Sequence, residues 1–128
     1  MIHGVPFRVV PATLYFRGMA VPGETELRPI EGAITDATGK TLRVFRAEQL
    51  IVPEPHSDIY VTNVRVDGTD QMPPGVNMTP SWVLGPTTLG NAVWFDTVPI
   101  GKPVTIRVTN TGPGAVLFSC ELRGKAIP

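Results

Sequence analysis

Few side chains in this chain are equipped for covalent chemistry. It holds two histidines, His3 and His56, and one cysteine, Cys120. Nucleophilic catalysis needs a base held beside the nucleophile. His3 stands next to the chain start, His56 lies in the proline-bounded stretch Pro53–Ser57, and Cys120 falls on the apolar parity of an alternating run. A cysteine so placed packs as a small hydrophobe, so no cysteine–histidine pair is expected. His56 and Asp58 are two residues apart and could offer two ligands to a cation, but the favoured reading is a polar loop entering a strand, since most exposed histidines and aspartates are simply solvated. Asp67 and Asp70 flank Gly68, but the twelve-residue calcium-loop pattern is missing and turn chemistry accounts for the pair. No spacing selects two carboxylates for glycoside hydrolysis, and Gly112-Pro113-Gly114 joins two strands instead of leading a strand into a phosphate-binding helix. The expectation is a non-enzyme with no cofactor and no metal.

Recognition chemistry is better represented. Trp82 and Trp94 could each serve as a sugar-stacking platform, an interface anchor or a core residue. Trp94 is expected in the core or at an interior edge. Trp82, flanked by Pro80 and Pro86, either anchors its own loop or binds externally. Met72 and Met78 in the same loop are adaptable apolar contacts. Arginine outnumbers lysine 8 to 3, which favours planar, multidentate contacts at interfaces. Arg107 and Arg123 project from the outer parity of the last two β-runs beside Glu121, where they serve either cross-strand charge pairing or a subunit contact. The candidate interface residues are thus Met72, Met78, Trp82, Arg107 and Arg123.

These residues must be positioned by strands. The chain of 128 residues carries 13 glycines and 14 prolines, against a usual combined share of roughly 12%. Such a density of breakers disfavours long helices. In Lys102–Thr109, Val104, Ile106 and Val108 alternate with polar residues, and after Asn110-Thr111-Gly112-Pro113-Gly114 the residues Val116, Phe118, Cys120 and Leu122 do the same. Period two places these seven residues on a buried face, and the pair is expected to form an antiparallel hairpin. Phe7–Phe16 is rich in β-formers, with Pro11 predicting an edge strand or a bend. Ala33–Asp36 and Thr41–Arg46 suggest a second hairpin, followed by a short run at Glu48–Val52. Asp58–Val66 switches parity between Val61 and Val64, which predicts a bulge near Thr62-Asn63, and Asp67-Gly68 then supplies a tight turn. Ala92–Val98 is a further expected strand. About eight strands spaced by turns read as one antiparallel β-sandwich over residues 1–128. The long stretch Gln71–Gly90 is the kind of loop that is usually functional.

Lysine plus arginine and aspartate plus glutamate both total 11. The chain therefore lacks the overall basic charge of a nucleic-acid binder, and its apolar residues are too dispersed for a membrane span. No nucleic acid and no membrane is expected as partner. One cysteine excludes an internal disulfide framework. The start, MIHGVPFRVV, has no basic segment followed by an apolar run, so residence is expected to begin in a cytoplasm-like compartment.

The C-terminal half resembles small single jelly-roll structural proteins of bacteriophages, a family of capsid-associated decoration or minor capsid components. The likeness rests on V-T-x-[IV]-x-V-x-G at Val61–Gly68, G-x-x-[VI]-T-[IV]-x-V-T-N at Gly101–Asn110 and F-x-x-x-L-x-G at Phe118–Gly124. It covers about half the chain and leaves the first 56 residues outside. The resemblance implies a jelly-roll-like sandwich, assembly as a homo-oligomer, other capsid proteins as partners, and location in a virion assembled in the host cytoplasm. Two other readings stand beside it. One is a carbohydrate-binding sandwich that stacks sugars on Trp82 or Trp94. The other is a small hydrolase or isomerase on a β-barrel.

Overall fold

Alternation of apolar and polar side chains runs through the computed structural model, which describes residues 9–71, 79–80 and 96–127. Those residues form eight strands and no helix. They are β1 (Val10–Ala20), β2 (Gly23–Leu27), β3 (Val44–Ile51), β4 (Ile59–Val66), β5 (Thr69–Asp70), β6 (Thr79–Pro80), β7 (Val104–Asn110) and β8 (Val116–Ile127). One sheet has the order β1-β8-β3 and the other β2-β7-β4-β5, with β6 also pairing β4. All of these strand pairs are antiparallel. The chain changes sheets at β1–β2, β2–β3, β3–β4 and β7–β8, so the fold is a sandwich wound as a jelly roll.

The core lies between the sheets. From one side it receives Leu14, Phe16, Phe45, Leu50, Phe118, Cys120 and Leu122, and from the other Ile59, Val61, Val64, Val104, Ile106 and Val108. Val116 packs at the margin of this cluster and is partly buried. Three phenylalanines among the largest fully buried side chains fill the space between facing layers, and full burial of each contributes about 1.5–3 kcal/mol.

Local features follow from particular residues. Tyr15 O accepts a hydrogen bond from Ile30 N at 2.8 Å on the side of β1 away from β8. Residues of the same parity, including Pro11, direct their backbone groups to that side, so the missing N–H of Pro11 costs no ladder bond. In β4 the register shifts between Val61 and Asn63. Thr62 Oγ1 donates to Arg107 O at 3.1 Å and Asn63 Oδ1 accepts from Val64 N at 2.8 Å, which returns both Val61 and Val64 to the core. The parity switch in the sequence is this bulge. Asp67, at φ 50°, and Gly68, at φ 80°, make the turn into β5.

Three expectations need correction. Lys102–Thr109 and the run from Val116 do not form a hairpin: β7 pairs β2 and β4, whereas β8 pairs β1 and β3. Their connection crosses between the sheets because Asn110, itself buried, bonds across the gap. Its Nδ2 donates to Ala20 O at 2.9 Å and Gly114 O at 2.8 Å, while Oδ1 accepts from Gly112 N at 2.9 Å. The hairpin expected at residues 33–46 contracts to a turn held by one bridge, Thr35 to Thr41; Asp36 Oδ1 accepts from Thr38 N, Thr38 Oγ1 and Lys40 N and closes it. Residues 44–51 then run as one strand through a bulge between Ala47 and Gln49, joining two runs read separately. Strand β2 was not expected, since Gly-Glu-Thr-Glu-Leu offers a single large apolar residue.

Candidate interaction surface

The sandwich disperses the residues suited to covalent chemistry. Cys120 lies in the core, and burial, with a smaller contribution from the Glu121 charge, pushes its thiol far above the usual range. Such a thiol is neutral and shielded, so it is no nucleophile. His56 serves its own loop, its Nδ1 accepting from Asp58 N at 3.1 Å. Asp58 O in turn accepts from Thr111 N at 2.8 Å and Thr111 Oγ1 at 3.1 Å, which ties this loop to the β7–β8 crossing. No group of three histidine, cysteine, aspartate or glutamate side chains could hold a metal ion among the described residues. A groove of about 520 Å³ beside β1 is lined by Pro11, Tyr15, Ile34 and Arg123 among others. It offers apolar walls with one cation and no carboxylate.

His3, Met72, Met78, Trp82 and Trp94 lie outside the described residues. Arg107 and Arg123 are brought to opposite sides of the molecule. This corrects the expectation of a shared face, for the same reason that the hairpin fails. Arg107 is on the outside of the β2-β7-β4 sheet, between Glu26 and Asn63 in register. Arg123 is on the outside of the β1-β8-β3 sheet, where its Nε donates to Glu121 Oε1 at 2.7 Å. The Glu121 side chain is about 10% exposed and that of Arg123 about half exposed, so the carboxylate is shielded while the guanidinium stays at the surface.

The two outer faces differ in chemistry. That of β2-β7-β4 is polar: Thr105 Oγ1 donates to Glu26 Oε1 at 2.6 Å, and Arg65 reaches Asp70 at 2.9 Å and Glu26 at 3.9 Å. On the β1-β8-β3 sheet, Tyr15, Met19 and Leu117 are each more than half exposed. Met19 and Leu117 are register partners across β1 and β8, with Arg17 and Ser119 as the next pair on that face. Aromatic, methionine and arginine side chains are the types enriched at protein interfaces. Sequence reasoning passed over this patch. Its trace was there, since Leu117 breaks the polar parity of its strand and Tyr15 and Met19 share one parity with Arg17. Pairing β1 with β8 is what turns three separate residues into a patch.

No family model, curated protein or solved structure matches the chain.

Proposed function

We propose that this protein is a structural component of a virus or bacteriophage particle, a capsid decoration or minor capsid protein that works through contacts with other capsid proteins and with its own copies. The observation that carries the reading is the outer face of the β1-β8-β3 sheet, where Tyr15, Met19 and Leu117 stand exposed around Arg17 on a jelly-roll sandwich. Strands hold the backbone of these side chains in place, so covering them costs side-chain freedom alone, and an interface needs such anchors at its centre. A specific interface buries about 800 Å² on each partner, so the contact must also take in the polar residues around this patch. Sequence patterns at Val61–Gly68, Gly101–Asn110 and Phe118–Gly124 support the same assignment by resemblance.

Mass spectrometry of purified particles, with light scattering of the isolated protein, tests it. The chain is expected in particles at stoichiometric copy number, and the double variant Met19→Glu/Leu117→Glu is expected to fold yet fail to incorporate. A protein absent from particles and monomeric in solution defeats the reading.

A further inference from the structure

The charged side chains are divided unequally between the two outer faces. No charged residue occurs from 72 to 95, and apart from Arg8 every charged side chain of the sequence is among the described residues. The β1-β8-β3 face and its margin carry Arg17, Arg46, Arg123 and Lys125 against Glu48 and Glu121. The strands of the β2-β7-β4-β5 sheet carry Glu24, Glu26 and Asp70 against Arg65 and Arg107. The first face thus has an excess of two positive charges and the second an excess of one negative charge, within a chain whose formal net charge is zero. Much of the remainder is locally paired: Arg123 with Glu121, Lys125 with Glu48, and Arg65 with Asp70. Arg17 and Glu24 are exposed and form no ion pair among the described residues.

We propose that copies of this chain associate head to tail, the β1-β8-β3 face of one against the β2-β7-β4 face of the next. The proposal rests on the reading of the protein as an assembly component and adds which surfaces meet. A two-fold pairing of the apolar patch with itself would set a positive face on a positive face, and like charges brought together oppose association. Stacking unlike faces removes that repulsion. It also covers Tyr15, Met19 and Leu117 with the surface around Tyr60, Thr105 and Thr109, the polar but uncharged positions of the opposing face. Such a contact is heterologous, so it propagates into a ring or a filament instead of closing as a dimer.

Sedimentation velocity of the full chain, with single charge reversals, is the test. The wild type is expected to form species larger than dimers at about 0.05 M salt and to dissociate at about 1 M, where charges are screened beyond about 3 Å. Arg17→Glu and Glu24→Arg should each weaken self-association about tenfold or more. Mixing the two should restore association, because the unaltered negative face of the first meets the unaltered positive face of the second. Both positions are exposed strand residues, and circular dichroism confirms that each variant folds. A salt-insensitive dimer, a wild type monomeric at low salt, or mixed variants that stay apart would overturn the proposal. Presence in purified particles together with any of these overturns the stacking and leaves the particle reading standing. Charge-dependent association of a chain absent from particles overturns the particle reading instead.

Discussion

Gly124 is where β8 and the bulge of β3 approach most closely, and replacing it by alanine tests the described packing directly. Gly124 is in register with Ala12 on β1 and Ala47 on β3, just where the β3 register shifts before Gln49. A Cβ at this position would fall inside contact distance of the Arg46 carbonyl oxygen and stand 2.9 Å from both Ala47 Cα and Arg46 C. These are backbone atoms, so no side-chain rotation relieves the clash, and β3 must withdraw from β8. Overpacking of this kind costs about 1–3 kcal/mol. Withdrawal also stretches the flanking ladder bonds, at about 1 kcal/mol for each one lost. Reduced freedom of the unfolded chain returns about 0.4–1 kcal/mol of this. The expected net loss is about 3 kcal/mol, which for a domain of this size lowers the melting temperature by about 10 °C. Gly114→Ala is the control: nothing lies within 4 Å of its added Cβ and its backbone is not left-handed, so that variant should be neutral or slightly more stable. Differential scanning calorimetry of both proteins decides. A Gly124→Ala protein that melts within about 2 °C of the parent, less than overpacking implies, refutes the close approach of β3 to β8.

Further consequences concern Asn110, Cys120 and Asp36. Asn110→Ala removes three hydrogen bonds from the β7–β8 crossing, so the urea midpoint should fall by the equivalent of about 2–4 kcal/mol with an unchanged slope; a shift under about 1 kcal/mol would show that the amide does not hold the crossing. Cys120 should stay unmodified by a disulfide reagent at neutral pH and react once urea unfolds the chain, because burial keeps its thiol protonated. Modification faster than unfolding would place it outside the core. Asp36 has its carboxyl held below the usual range, first by the Thr38 hydroxyl and then by the Lys40 backbone N–H. Its folded-state value is depressed, so the contribution of the turn is complete above the unfolded value of about 3.9 and is lost as pH falls through the folded value. Thr38→Ala should raise the Asp36 midpoint in an NMR titration, and an unmoved midpoint would reject the hydroxyl as the main cause.

How far the sequence reaches into this structure depends on whether a feature is local. Alternation in Val104–Asn110 and from Val116 onward tells which side chains face inward, and those side chains do face inward, but from opposite sheets. Period two carries no information about which sheet a strand joins. A five-residue connection fits a hairpin and a crossing equally well, and the choice is made by Asn110 bonding to Ala20, 90 positions away. The β4 bulge is legible because it alters parity within one strand. The β3 bulge leaves the same trace, since Phe45 and Ala47 share one parity and Leu50 and Val52 the other, but dividing the segment into two runs at Ala47 hides it.

The same distinction separates the site residues that were legible from those that were not. Arg107 and Arg123 were chosen for their outward parity, and both do lie on outer faces. The choice assumed one face, and with the hairpin gone the two arginines belong to surfaces of opposite excess charge. Met19 and Leu117, nearly a hundred residues apart in the chain, become neighbours only when β1 pairs with β8. A surface assembled from non-local strands therefore has to be sought after the pairing is known, by asking which outward rows remain apolar and which charges lack a partner. In this chain that search leads to Tyr15, Met19 and Leu117 on one face, with Arg17, and to Glu24 on the other. The division of charge between the faces follows from the jelly-roll winding, which places β1 and β3 in one sheet and β2, between them in the chain, in the other: the acidic pair in Gly23–Leu27 and the basic residues of β1 and β3 therefore end on different sheets. A neutral composition thus becomes a polarised molecule, which suits a contact between unlike faces better than one between like faces.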